Sequence, residues 1–191
     1  MRNFAVAVLV LLLASPCRTQ AQESPVLAGV VTGVTDGDTV DVRLDSGTVR
    51  IRLHAIDAPE RGQAYGQAAK GALSRLVFGK AVQVEPIEQD RYDRLVARLW
   101  IDDLDVNAAM VEQGYAWVYR TYADDPAYCA HEKAARDLKR GLWAAPRDQV
   151  IAPWEWRRRK TLDGQFTDYW SETVAACVSS LDPGTDPHPH R

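Results

Sequence analysis

The sequence predicts a small closed β-barrel of the α+β class, mainly β, with five strands and about three helices. Short runs of alternating apolar and polar residues recur along the chain, separated by turn residues. The helical patterns are few and do not alternate with the strands in a βαβ rhythm, which disfavours a doubly wound parallel sheet. The length of 191 residues suffices for one domain with a core and extensions.

The predicted strands are short alternating patterns bounded by glycine, proline or acidic residues. They are residues 26–34, 39–44, 48–53, 81–87 and 95–101. The second and third strands are expected to form a hairpin, because Asp45-Ser46-Gly47 between them has turn chemistry. The inward face of this hairpin is expected to carry six apolar residues: Val40, Val42, Leu44, Val49, Ile51 and Leu53.

The predicted helices have apolar residues at helical spacing and end at glycine. They are residues 64–78, 106–113 and 126–140. The patterning weakens after Trp143, so residues 144–180 are predicted to be an extension that packs on a domain formed by residues 22–143. The polar, proline-rich residues 181–191 are predicted to be a disordered tail.

The N-terminus is typical of a secretory signal peptide covering residues 1–21. Arg2 supplies a short positive region, residues 4–14 form an apolar run, and Thr19-Gln20-Ala21 is a plausible cleavage end. An uncleaved membrane anchor is the alternative, although the apolar run is short for a bilayer span. The signal predicts a periplasmic or extracellular protein that has no stable membrane association after cleavage.

Cysteine usage supports the export prediction. Of three cysteines, Cys17 would leave with the signal peptide, so Cys129 and Cys177 remain. An even number of cysteines in an exported protein favours a disulfide between them, and two unpaired thiols are the alternative. Metal binding by these cysteines is disfavoured because neither belongs to a closely spaced pair.

Acidic residues flank both open ends of the predicted hairpin. Asp36 and Asp38 precede its first strand, whereas Asp57 and Glu60 follow its second. A hairpin brings these ends together, and Arg52 arrives beside them from the second strand. Carboxylates with an arginine at their rim suit a hard divalent cation next to a phosphate. These residues predict a metal-dependent nuclease site, although the net charge of −3 argues against a broad basic surface for nucleic acid.

Four groups of residues occur in a characteristic order and spacing. They are Asp36-Gly37-Asp38-Thr39, residues 52–60, Tyr65-Gly66 and Asp90-Arg91-Tyr92-Asp93-Arg94, with residues 107–116 and Gly141-Leu142-Trp143 as further support. Together they resemble the staphylococcal nuclease-like (thermonuclease) family over about residues 28–143. The resemblance implies an OB-fold barrel, Ca²⁺ dependence, and hydrolysis of the phosphodiester bonds of DNA and RNA.

The resemblance also implies a metal centre. Asp38 and Asp57 would be the carboxylate ligands of Ca²⁺, and the backbone carbonyl of Ala58 would be a third ligand. The family often has threonine at the position of Ala58, but the carbonyl is the coordinating group. Waters and a substrate phosphate oxygen would complete the six to eight oxygen ligands that Ca²⁺ prefers.

The same resemblance assigns roles in catalysis and substrate binding. Glu60 would orient or deprotonate the attacking water, and Arg52 with Arg94 would clamp the phosphate and stabilise charge in the transition state. Three residues are implied as substrate contacts: Arg91, Tyr92 and Tyr122. Two positions depart from the family pattern, since Asp93 replaces a turn glycine and Arg120 replaces a base-stacking tyrosine. An arginine plane can also stack on bases.

The expected function is that of an exported, Ca²⁺-dependent endonuclease that cleaves DNA and RNA as a monomer. A non-catalytic OB module that binds nucleic acid is the alternative from another class. A phosphodiesterase acting on a small nucleotide is a second alternative. The presence of all three proposed catalytic side chains favours an active enzyme, and the open groove implied by the resemblance favours a polymeric substrate.

Overall fold

The computed structural model describes residues 25–159 and 164–181. The predicted signal peptide lies outside the described residues, as does all but the first residue of the predicted tail. The strands are β1 (Leu27–Val34), β2 (Thr39–Leu44), β3 (Gly47–Leu53), β4 (Ile56–Asp57), β5 (Ala81–Gln89), β6 (Leu95–Ile101), β7 (Leu104–Asp105) and β8 (Trp117–Val118). The α-helices are α1 (Gly66–Val77), α2 (Val106–Glu112), α3 (Ala127–Asp137), α4 (Pro153–Arg158) and α5 (Val174–Ser179).

The five long strands form the predicted closed barrel. Their order is β3-β2-β1-β5-β6, with antiparallel neighbours, and a parallel pairing of β3 with β6 closes the sheet. In this closing pair Arg52 lies opposite Val96. The OB-fold class predicted from the sequence is therefore confirmed.

Glycines in β1 allow the sheet to curve. The register between β1 and β2 shifts between Val31 and Gly33, as at a β-bulge. A Cβ atom at Gly29 would lie 2.6 Å from a methyl carbon of Val42 and 2.7 Å from the carbonyl oxygen of Arg43. Only glycine permits this close approach of the two strands.

The hairpin faces the core much as its alternating pattern predicted. Val40, Val42, Ile51 and Leu53 are buried, whereas Leu44 and Val49 are partly buried. Buried residues of α1 and α2 belong to the same core, including Leu73 and Met110. The hydrophobic core therefore lies inside the barrel and beneath these two helices.

Asn107 in α2 is a buried polar residue that holds the turn between β3 and β4 in place. Its side-chain oxygen accepts a hydrogen bond from the Leu99 amide at 3.1 Å. Its amide nitrogen donates to the carbonyl oxygens of His54 at 3.0 Å and Ala97 at 3.2 Å. These bonds hold the turn between β3 and β4 against β6, because a buried backbone group without a partner would be costly.

The region after residue 143 is more ordered in secondary structure than its weak pattern indicated. It contains α4 and α5, which are six residues each and too short for a periodic signal. Strands β4, β7 and β8 were also missed, since each has only two residues. Strand β8 pairs with β4 in a small separate sheet.

The extension packs on the barrel domain through aromatic rings and a disulfide. Trp117 contacts Trp143, Trp154 and Tyr169, with ring centroids 4.5, 5.8 and 5.3 Å away. The expected disulfide between Cys129 of α3 and Cys177 of α5 is present, with a Cα–Cα distance of 5.8 Å. None of the helices in the described part of the chain is long and apolar enough to cross a bilayer.

Candidate active site

Three carboxylates meet where the β2–β3 hairpin opens. Asp38 lies directly before β2, Asp57 ends β4, and Glu60 follows in the next loop. Asp38 and Asp57 are only 6% and 2% exposed, whereas the Glu60 side chain is 42% exposed. The cluster therefore combines two buried acids with one that solvent can reach.

Asp38 joins the two ends of the hairpin. Its carboxylate accepts a hydrogen bond from the Ala58 amide at 2.7 Å, and its backbone oxygen accepts one from the Leu53 amide at 2.8 Å. Burial raises the pKa of Asp38 to about 7, although the neighbouring Arg52 lowers it. An ionised Asp38 is therefore stabilised by any positive charge placed beside it.

Arg52 lies between the two buried acids. One of its terminal nitrogens is 3.2 Å from Asp38 Oδ2 and 3.2 Å from Asp57 Oδ1. The other donates to the carbonyl oxygens of Leu53 at 2.7 Å and Ile56 at 2.8 Å. Burial lowers the pKa of Arg52, but the two aspartates outweigh it and raise the pKa, so the side chain remains a fixed cation.

The Glu60 loop is held by a short set of hydrogen bonds. The Glu60 amide donates to Gln63 Oε1 at 3.1 Å, and the Gln63 amide donates back to the Glu60 carbonyl at 2.9 Å. Gln63 Nε2 also donates to the carbonyl of Ile151 in the extension at 2.6 Å. At Gly66 a Cβ atom would lie 1.9 Å from the Glu60 carbonyl oxygen. The start of α1 therefore requires glycine to support this loop.

Arg157 is part of the cluster, and sequence reasoning missed it. Its two terminal nitrogens lie 2.7 Å from Asp57 Oδ2 and 2.7 Å from Glu60 Oε1. Arg157 belongs to the basic run 157–160, and such charge runs are usually solvated surface stretches. Its partners are 97 and 100 positions away in the chain, and no local pattern signals such a contact.

Arg94 forms an ion pair with Asp90 in the β5–β6 turn and has no described contact with the three carboxylates. It directly precedes β6, in which Val96 lies opposite Arg52 of β3. Two of its guanidinium nitrogens contact Asp90 Oδ2 at 2.7 Å. The described contacts therefore bring Arg52 to the carboxylates and hold Arg94 in its own turn.

The predicted substrate-binding residues lie in two places. Tyr92 is 64% exposed in the β5–β6 turn, with the guanidinium carbons of Arg91 and Arg94 at 4.7 and 5.5 Å from its ring. Tyr122 packs edge-on against Tyr119, with centroids 4.9 Å apart. The first group therefore combines an aromatic ring with cations at the surface, whereas the second is a pair of aromatic rings.

Arg120 does not serve as the base-stacking replacement that the sequence suggested. Its guanidinium forms an ion pair with Glu132 at 2.7 Å and another with Glu172, and only 11% of its side chain is exposed. Burial lowers the pKa of Arg120, but these two carboxylates raise it further. The residue joins α3 to the extension instead of facing solvent.

The candidate cation site is formed by hard oxygens. The carboxylates of Asp38 and Asp57 converge on one nitrogen of Arg52, and burial raises the pKa of Asp38, so a cation beside it would stabilise its ionised form. Such oxygens fit Ca²⁺. The described residues contain one group of three potential ligand atoms within 4.8 Å of one another, Glu132, Glu172 and Cys177. That group is not a metal site, because Cys177 is in a disulfide and the glutamates are paired with arginines.

The fold and the cluster of carboxylates and arginines together define the class of protein. A closed OB-fold barrel carries two buried carboxylates, a reachable glutamate and arginines at one end, which suits binding of a cation and a phosphate. The model of the family described as staphylococcal nuclease homologue matches residues 50–145. The chain belongs to this family, as the sequence motifs indicated.

Individual relatives extend the match beyond those residues. A protein of Escherichia coli named ParB is 41% identical over 169 residues, which cover 83% of this chain and 91% of the relative. A protein of Shigella flexneri named micrococcal nuclease is 41% identical over 141 residues, covering 68% of this chain and 80% of the relative. An uncharacterised endonuclease of Escherichia coli is 43% identical over 133 residues, covering 69% and 86%.

Proposed function

We propose that this protein is an exported, Ca²⁺-dependent endonuclease that hydrolyses the phosphodiester bonds of DNA and RNA as a monomer. One observation carries the proposal: Asp38, Asp57, Glu60 and Arg52 lie together at one end of a barrel of the staphylococcal nuclease family. The names of two relatives, a micrococcal nuclease and an endonuclease, support the same activity.

The metal ligands in this proposal are Asp38, Asp57 and the backbone carbonyl of Ala58. When bound, the cation would neutralise charge on the phosphate and favour attack by water. The Asp38 carboxylate already holds the Ala58 amide at 2.7 Å, so the two proposed ligand residues are fixed relative to each other.

Glu60 is proposed to orient or deprotonate the attacking water. Its side chain is 42% exposed, so water can reach it, while the hydrogen bonds between Glu60 and Gln63 fix its backbone. A carboxylate placed within hydrogen-bonding reach of water is an effective general base.

Arg52 and Arg94 are proposed to clamp the phosphate. Arg52 is held by two backbone carbonyls and offers a fixed positive charge. Arg94 is 29% exposed and paired with Asp90, so it exchanges that carboxylate for a phosphate when substrate binds. A planar guanidinium suits both partners, since it donates two parallel hydrogen bonds.

Arg91, Tyr92 and Tyr122 are proposed to contact the flanking nucleotides. Arg91 would pair with a neighbouring phosphate, and the exposed Tyr92 ring lies beside it. Aromatic rings can stack on unpaired bases without regard to sequence. This supports a polymeric, single-stranded substrate over a small nucleotide.

Export is proposed from the N-terminal pattern of residues 1–21 and from the disulfide between Cys129 and Cys177. Disulfides persist in oxidising compartments and are rare in the cytosol. The periplasm or the extracellular medium is the proposed location.

The test is a cleavage assay of purified protein on single-stranded DNA and on RNA. We expect cleavage of both polymers with Ca²⁺, internal cuts on a circular single-stranded substrate, and loss of activity when a Ca²⁺ chelator is added. Full activity in chelator would reject the metal assignment. Tight binding of both polymers without any cleavage would instead identify a non-catalytic nucleic-acid-binding module.

A further inference from the structure

Arg157 occupies an unusual position for a residue of the extension. Asp57 Oδ2 accepts a hydrogen bond from Arg157 at 2.7 Å, and Asp57 Oδ1 accepts from Arg157 and from Arg52 at 3.2 Å each. Both oxygens of this proposed metal ligand are therefore engaged by guanidinium groups. The same Arg157 also reaches Glu60 Oε1 at 2.7 Å.

The two arginines differ in how firmly they are held. The Arg52 side chain is 14% exposed and is bound to two backbone carbonyls. The Arg157 side chain is 41% exposed, and within the described residues its hydrogen bonds go to the carboxylates of Asp57 and Glu60. Arg157 can therefore leave Asp57 for solvent at a lower cost than Arg52 can.

The extension delivers Arg157 to the site through packed contacts. Helix α4 begins with Pro153, and the next residue, Trp154, stacks on Tyr119 with centroids 5.6 Å apart. Gln63 anchors the preceding carbonyl of Ile151 to the Glu60 loop at 2.6 Å. The helix that carries Arg157 is thus fixed next to the carboxylates, and it lies outside residues 50–145, which the family model matches.

We propose that Arg157 is an internal counterion of the active site, which holds Asp57 and Glu60 together and competes with the divalent cation for Asp57. The inference rests on the proposed function, because it takes Asp57 as a metal ligand. A guanidinium on the ligand carboxylate lowers affinity for a second cation in two ways. It occupies the coordinating oxygens, and it repels the incoming charge at short range.

Removal of Arg157 is therefore expected to tighten Ca²⁺ binding. We compare Ca²⁺ titrations by calorimetry on the purified protein without nucleic acid, for wild type, Arg157→Gln, Arg157→Lys and Arg159→Gln. Arg157→Gln should lower the Kd for Ca²⁺ by roughly 5- to 30-fold, as expected for loss of one nearby charge. Arg157→Lys should fall between this variant and wild type, since it keeps the charge but not the paired hydrogen bonds.

Arg159→Gln is the matched control. It removes the same charge two residues along the chain, where the guanidinium lies 4.3 Å from the ring centre of Trp156 and donates to the Trp156 carbonyl. Its Kd should stay within about twofold of wild type, because exposed charges further from the site are screened. An equal gain in Ca²⁺ affinity in Arg157→Gln and Arg159→Gln would reject the specific role of Arg157. Only a general effect of protein charge would then remain.

The outcomes separate this inference from the proposed function. Wild-type protein that binds Ca²⁺ and cleaves DNA, with an unchanged or weaker Kd in Arg157→Gln, overturns the counterion role alone. Wild-type protein that does not bind Ca²⁺ overturns both. If Arg157→Gln does not fold, the conservative Arg157→Lys variant decides, and a Kd equal to wild type in that variant contradicts the proposal.

Discussion

At the scale of single residues, the site is built on a conflict between burial and charge. Desolvation raises the pKa of Asp38 to about 7, which means that its ionised form is disfavoured by the fold. Arg52 only partly relieves this cost. Perturbed acids of this kind are typical of functional sites, because a structural role would be met more cheaply by a neutral side chain.

His54, in the turn after β3, gives a residue-scale prediction about pH. Its side chain is 8% exposed, and burial lowers its pKa below 6.5, although Asp124 at 3.5 Å raises it. The unfolded chain therefore takes up the proton more readily, so the stabilising contribution of neutral His54 is present above pH 6.5 and is lost as the pH falls. Asp124, whose pKa is lowered from 3.8, contributes to pH dependence only at more acidic values.

Replacement of His54 by glutamine should remove this part of the pH dependence. The free energy of unfolding, measured by urea titration at a series of pH values, should fall less steeply below pH 6.5 in His54→Gln than in wild type. An identical fall would show that folding does not shift the pKa of His54, and a steeper fall would show that folding raises it. The control is the same substitution at His131, a second histidine that lies on α3.

Sequence reasoning found the residues that local geometry fixes. Asp38, Arg52, Asp57 and Glu60 lie within one hairpin and the loop after it, and the register of β2 with β3 follows from their alternating pattern. Arg157 and the pairing of Arg94 with Asp90 were not found. Those contacts depend on tertiary packing and on a choice between alternative partners, which spacing in the sequence does not encode.

At the scale of elements, the junction between the Glu60 loop and α1 is the most constrained part of the site. Tyr65 adopts a left-handed backbone with φ of 67°, and Gly66 follows against the Glu60 carbonyl. The loop must therefore pass the first turn of α1 at a distance that excludes any side chain. Activity is expected to depend on this approach because it sets where Glu60 lies.

Gly66→Ala should disturb that junction. Its Cβ would lie 1.9 Å from the Glu60 carbonyl oxygen and 2.8 Å from the Glu60 carbonyl carbon, so the backbone must move. We expect a loss of stability of about 2 to 4 kcal/mol, in the range of severe steric changes, together with a loss of cleavage. Thermal unfolding and the DNA cleavage rate are the measurements.

Gly62→Ala is the control for this prediction, since its Cβ meets nothing within 4 Å. It should keep both stability and activity near wild type. Comparable losses in the two variants would show that the loop is sensitive to any loss of glycine flexibility, and that the contact of Gly66 with Glu60 is not the cause.

At the scale of the whole molecule, the extension and the barrel form one packed unit. The barrel strands and the three longer helices were predictable, because each has enough residues to show a period. The short helices α4 and α5 owe their stability to tertiary contacts. Trp154 of α4 stacks on Tyr119, and the disulfide links α5 to α3. Just before α5, Glu172 forms ion pairs with Arg120 and Arg136.

Loss of the disulfide is expected to weaken this unit. Cys129 and Cys177 are separated by 48 positions, and closing a loop of that length stabilises a fold by about 4 kcal/mol in the chain-entropy model. A Cys129→Ser/Cys177→Ser double variant should lose up to about that free energy of unfolding in urea. Addition of a reductant should destabilise wild type and leave the double variant unchanged. Equal stability of wild type and the double variant in the absence of reductant would contradict a structural role for the disulfide.

The proposed role of Glu60 is to act on water within a nuclease site. The most direct measurement is the single-turnover rate of single-stranded DNA cleavage with saturating Ca²⁺, compared between wild type and Glu60→Gln. We expect the Glu60→Gln rate to be lower by roughly 100- to 10,000-fold, as for loss of a general base, with Ca²⁺ binding and thermal stability retained. A Glu60→Gln rate equal to that of wild type would contradict it.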